Sequence, residues 1–125
     1  MRFKYSNKDK LKSKKQIDAL FNKGSSIMAY PLLVKYKETS FDDDILIKTG
    51  VSVSKHIFKK AVDRNHVKRL LRETYRLNKP NYFNTLTTSH AVMILYIGKE
   101  KPQFSKINNA MKIILNKLEK KISKH

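Results

Sequence analysis

The chain has 125 residues, enough for one domain with a modest core, and its 28 lysines and arginines against 10 acidic residues give a formal charge of +18. Because 40% of the residues are hydrophobic, this is no disordered basic tail; it is a folded domain that repels itself until an anion neutralises it. A polyphosphate suits that need, since each phosphate contacted releases condensed counterions. The absence of cysteine excludes disulfides, thiolate metal sites and a thiol nucleophile. The opening MRFKYSNKDK leads into no apolar run and no window approaches the ~20 apolar residues of a membrane span, so a cytoplasmic protein without membrane contact is expected.

Residues 1–12 are polar and basic and read as a flexible arm. Ser13 followed three residues later by Gln16 is a capping-box pattern that opens a short helix over 14–23. Ile17, Leu20 and Phe21 share one face of it at i, i+3, i+4 spacing, and Gly24 is placed to end it in the left-handed conformation. A brief extended piece around Ile27 and Met28 precedes the strand LLVKYK, in which Leu32, Val34 and Tyr36 point one way and Leu33 and Lys35 the other. Asp42, Asp43 and Asp44 form a turn into ILIKTGVSVS, a longer strand with Ile45, Ile47, Val51 and Val53 on one face. Gly50 and the serines leave its other face bare, which suits close approach of a ligand or another backbone.

The stretch 58–76, FKKAVDRNHVKRLLRETYR, has the pattern of a two-sided helix. At about 100° per residue, Arg64, Asn65, Lys68, Arg69, Arg72 and Arg76 fall within one arc of roughly 140°. Val67, Leu70, Leu71, Thr74 and Leu77 fall on the other side, so the helix is expected to dock an apolar stripe and present a cationic one. Asp63 projects near the apolar edge, and Glu73 is expected to make only peripheral pairs. Asn78, Lys79, Pro80 and Asn81 stop the helix, and a polar loop runs to Ser89. The unbroken apolar run AVMILYI, residues 91–97, predicts a central strand buried on both faces. After a turn at 98–102, Phe104, Ile107, Ala110, Met111, Ile114, Leu115 and Leu118 follow helical spacing to a lysine-rich end. The predicted fold is a single α+β domain, a sandwich of helices on a mixed four-stranded sheet in the order αβββαβα.

Catalytic chemistry has little to stand on. His56, His66, His90 and His125 lack metal-ligand spacing and no serine sits in a nucleophile elbow, so each histidine reads as surface or packing. The aspartate triplet lacks the spacing and the turn glycine of a calcium loop. No catalytic or metal-binding residue is therefore assigned. The lysines at 8–15 and 117–124 read as solvated surface, whereas the arginines of the helix present forks that suit phosphate oxygens at several angles. A membrane-surface helix would want Trp or Phe anchors that its apolar side lacks.

The run Ala61, Val62, Asp63, Arg64, Asn65, His66, Val67, Lys68, Arg69, Leu70, Leu71, Arg72, Glu73, preceded by GVSVSK at 50–55, resembles the signature of the bacterial ribonuclease P protein component. The resemblance extends over nearly the whole chain. It implies a two-layer, ribosomal-protein-S5-domain-2-like fold with a left-handed βαβ crossover, where the general rule for such connections predicts a right-handed one. It also implies a small basic cofactor of a ribozyme. The RNA subunit, with magnesium ions bound mainly by RNA, would hydrolyse precursor tRNA to free the mature 5′ end, and the protein would bind that RNA and the precursor's 5′ leader, with no obligate protein partner and no cofactor of its own. Carried over by position, Arg64, Asn65, Lys68, Arg69 and Arg72 would face RNA, joined by Lys55, Lys60, His66 and Arg76. His66 stands where the family pattern carries an arginine, so it brings no permanent charge. Ile17 and Phe21 match positions that line the leader cleft, with Leu33 and Lys35 on the same face of the sheet; a one-residue slip would put Tyr36 there instead. The alternative is a stand-alone structural RNA-binding protein of the ribosomal type, against which the AVxRNxxKRxxRE spacing discriminates. A protein-only nuclease would need a cluster of carboxylates.

Overall fold

The computed structural model describes residues 9–123 as α1 (Lys14–Lys23), β1 (Ser25–Ala29), β2 (Leu32–Glu38), β3 (Ile47–Val53), α2 (Ala61–Asn78), β4 (His90–Tyr96) and α3 (Phe104–Ile122), with a 3-10 turn at Lys79–Asn81. The strands form one sheet in the order β1-β2-β4-β3. Only the β3/β4 pair is parallel, with α2 as its crossover; the other two pairs are antiparallel. The apolar run of β4 is central because both its faces are covered. Val92, Ile94 and Tyr96 enter the main core beneath α2 and α3, while Ala91, Met93 and Leu95 meet α1 in a smaller cluster with Leu11, Ile17 and Leu20. The two-layer sandwich thus describes α2 and α3 on the sheet, and α1 covers part of the opposite face.

The helices obey the sequence pattern with local departures. Ser13 Oγ accepts the backbone N–H of Gln16 at 3.2 Å, and α1 spans the expected residues. It does not end in the left-handed conformation: Gly24 has φ −74°. Glycine is needed there for room, since a Cβ would lie 2.4 Å from the Leu20 carbonyl oxygen. The bare side of Gly50 is likewise filled from within, because a Cβ would sit 2.9 Å from Met93 Cε. On α2 the buried stripe is Val67, Leu71, Thr74, Tyr75 and Asn78, so Leu77, expected inside, is exposed. Polar groups take part in this stripe because each is paired. Thr49 Oγ1 bonds Tyr75 OH at 2.8 Å, and Asn78 Nδ2 donates to Thr74 O and Asn108 Oδ1, both at 2.7 Å. Phe104, at the start of α3, is exposed, whereas Ile107 through Ile122 bury the rest of the helical stripe.

The expected flexible arm is docked at residues 9–11. Leu11 is buried and its N–H donates to Thr49 O at 3.1 Å, Lys10 bridges Thr49, and Asp9 pairs with Lys79 at 3.2 Å. Residues 1–8 of that arm, and His125, lie outside the described part. Ile45, placed in a strand by the sequence pattern, precedes β3.

Candidate nucleic-acid interface

The first surface is the solvent side of α2. Asn65, Arg69 and Arg72 are exposed there and, with Lys10, Glu73 and Arg76, line a shallow cavity of about 370 Å³. Lys10 is the member that the sequence pattern missed; only the docking of the arm brings it to the helix. Glu73 is not peripheral, because it pairs with Arg76 within the basic arc. One carboxylate among four cations fixes Arg76 and leaves Arg69 and Arg72 facing outward. Arg64 has a split role: its Nη1 donates to Phe58 O at 2.8 Å and to Lys59 O at 2.9 Å, holding the turn that enters α2. It acts on carbonyls only, so it does not replace the side-chain cap that the N-cap residue Lys60 lacks. Lys55, Lys60 and His66 are exposed around this end of the helix and Lys68 is half-buried.

The second surface is the part of the α1 face that α1 leaves open. Leu20 is fully buried against Ala91 and Met93, Ile17 is half-buried, and Phe21 stands 39% exposed. Register fixes the neighbouring strand. Leu33 pairs with Leu95 and Lys35 with Met93, so both project on the α1 side. Tyr36 pairs with Val92 and packs against the main core, which excludes the slipped register. Lys35 Nζ donates to Ser26 Oγ at 3.3 Å across this face, and Met28, opposite Leu33, adds an exposed thioether that the sequence reading did not single out. Alternation within β1, with Ile27 and Ala29 facing the core, was the signal for it. The sheet face left open beside α1, the candidate groove, thus presents half-buried Leu33 and Lys35 and exposed Met28, with the exposed Phe21 ring on α1.

Outside these surfaces, Asp43 and His90 are held within the fold. Asp43 Oδ2 accepts from Lys48 Nζ at 2.9 Å, which holds its carboxyl below the usual range, and Oδ1 accepts the Ile45 N–H, closing the turn. His90 is buried at the start of β4, and burial pushes its imidazole pKa down. Among the described residues, no three of His, Asp or Glu gather where a metal could be held. No helix among them is long and apolar enough to cross a membrane.

A small α+β domain with a cationic helix on one side and an apolar, lysine-edged groove on the other is built as an RNA-binding protein. The family model Ribonuclease P matches residues 5–119, and the chain belongs to that family as a ribonuclease P protein component. The ribonuclease P protein component of Porphyromonas gingivalis is 34% identical over 112 residues, covering 87% of this chain and 82% of its own. That of Clostridium kluyveri is 31% identical over 108 residues, covering 86% and 92%. The fold is shared with the ribonuclease P protein of Staphylococcus aureus (TM-score 0.70, 20% identity, 89% of this chain and 95% of that one). It is shared as well with that of Thermotoga maritima (TM-score 0.68, 20% identity, 86% and 96%).

Proposed function

We propose that this chain holds the ribonuclease P RNA with its basic helix and the 5′ leader of precursor tRNA in its groove, while the RNA performs the hydrolysis. Membership of the family makes the chain a component of the enzyme that processes tRNA 5′ ends and a partner of its RNA. The division of labour is the proposal. The observation that carries it is the placement of two unlike surfaces: exposed Asn65, Arg69 and Arg72 on α2, and Phe21, Leu33 and Lys35 beside α1 on the sheet face that α2 does not cover. Arginine forks bind the phosphates of a structured RNA at fixed angles. A single-stranded leader instead needs a ring on which a base can stack and a cation near its backbone, with tolerance of sequence.

Magnesium belongs to the RNA in this scheme. Among the described residues no three acidic or imidazole groups gather where a metal could be held, and Asp43, Asp63 and Glu73 are already paired with Lys48, Lys101 and Arg76. Such a donor set does not fit a hard cation that asks for converging oxygens. The protein would then act in the cytoplasm with RNA as its sole obligatory partner. The test is to assay protein freed of RNA on precursor tRNA, then to add the RNA subunit at low magnesium. Cleavage should appear only with the RNA; cleavage by the protein alone refutes the scheme.

A further inference from the structure

The turn between β1 and β2 and the first half of α3 enclose a cleft of about 880 Å³, within the ~300–1,000 Å³ range of ligand-binding pockets. Tyr30, 68% exposed, stands on one lip and Ile113 on the other. The floor is closed by Tyr96, whose hydroxyl donates to Glu100 O at 2.7 Å. Gly98 permits that closure, since a Cβ there would lie 2.5 Å from the same hydroxyl. Lys99, Lys101 and Lys106 line the cleft with one carboxylate, Glu100, among them; Lys101 is already paired with Asp63, so Lys99 and Lys106 supply the cationic character, and Gln103 and Asn109 add amides to the lining.

We infer that this cleft is a second single-stranded RNA site, taking one or two unpaired nucleotides of the ribonuclease P RNA. The inference rests on the proposed division of labour. An exposed tyrosine ring offers a base its stacking surface, the lysines meet the flanking phosphates, and carboxamides carry both donor and acceptor for base edges. An acidic peptide would use the lysines alone and leave the ring and the amides idle. The RNA subunit is favoured over the leader by continuity. Lys101 pairs with Asp63 at 3.1 Å, which ties one wall of the cleft to the first turn of α2, so a strand held along α2 has the cleft within reach. The leader groove lies on the α1 face of the sheet.

The test is a titration of the isotope-labelled protein with a short oligouridylate, followed by amide chemical shifts. Two groups of amides should move, one around Phe21, Leu33 and Lys35 and another around Gln103, Lys106 and Asn109. Tyr30→Ala, a change at an exposed position, should abolish the second group of shifts, preserve the first and leave Tm unchanged. In the assembled enzyme the same variant should bind the RNA subunit about fivefold or more weakly, the effect of losing one stacked base, while the gain in affinity conferred by a leader stays intact. Shifts confined to the first group overturn the second site and leave the proposed function standing; shifts in neither group overturn the leader groove as well. Equal movement of the second group with hexaglutamate means an unselective anion site, and a lost leader effect in Tyr30→Ala means that the cleft serves the leader. Either result refutes the inference.

Discussion

Replacing Phe21 with alanine should separate leader recognition from folding. The ring is 39% exposed while Leu20, its neighbour on α1, is fully buried. Full burial of a phenylalanine is worth ~1.5–3 kcal/mol, so the covered part of Phe21 accounts for less than about 2 kcal/mol of stability. Leu20→Ala, which empties a closed site between Ala91 and Met93, should cost about 2–5 kcal/mol. A base stacked on the ring contributes ~1–3 kcal/mol, so Phe21→Ala should weaken binding of leader-bearing precursor about 5- to 150-fold and leave mature tRNA and assembly with the RNA subunit nearly unchanged. The assay is binding of both tRNA forms to the reconstituted enzyme beside thermal melts of both variants. Equal losses for precursor and mature tRNA, or a melt as depressed as that of Leu20→Ala, would show that Phe21 is packing and that the groove is misassigned.

Arg69→Ala and Arg72→Ala, both at exposed positions of α2, should each weaken RNA-subunit binding by about 1–3 kcal/mol with Tm unchanged. Each should also lower the log-log salt slope by about one phosphate contact; binding curves at stepped salt that keep the wild-type slope would count against phosphate contact. Burial lowers the pKa of His90 from 6.5, so the unfolded chain binds the proton first as pH falls. The contribution of His90 to stability is complete above about pH 6.5 and is lost as pH drops through its lower folded-state value. Denaturant melts between pH 7.5 and 5 should show this decline and His90→Gln should flatten it; a slope unaltered by the substitution refutes the assignment. Gly24→Ala should destabilise the protein by about 1–3 kcal/mol although φ is −74°, because the added methyl meets the Leu20 carbonyl oxygen; an unchanged melt would mean that the α1 terminus relaxes freely.

Much of this molecule could be read from one-dimensional signals, and the departures have physical causes. The extent of α1, the central place of β4 and the alternation of Leu33 and Lys35 against Tyr36 follow from capping and from periods of 3.6 and 2. Leu77 was misread because apolar character was taken as the mark of burial, whereas Tyr75 and Asn78 enter the core by finding hydrogen-bond partners on β3 and α3. Gly24 and Gly50 carried the right residue for a different reason, steric room against Leu20 and Met93 in place of unusual backbone angles or ligand approach. Lys10 in the basic cavity and Met28 in the groove depend on which distant segments meet, and no local period reports that. Glu73 is a different case: its pair with Arg76 is an i, i+3 contact on one helix, a spacing already present in the sequence.

The free edges of the sheet bear on how this protein behaves when RNA is present. Alone, its charge of +18 keeps copies apart, but bound RNA neutralises that charge and removes the repulsion. The outer sides of β1 and β3 are then the places where another chain could add a strand. On β3 the Thr49 carbonyl is already taken by Leu11 N–H, and on β1 Lys117 Nζ donates to Met28 O at 2.9 Å. Both contacts are supplied by the chain itself, so resistance to strand addition is built into the backbone's own partners and persists at the moment when electrostatic self-repulsion is lost.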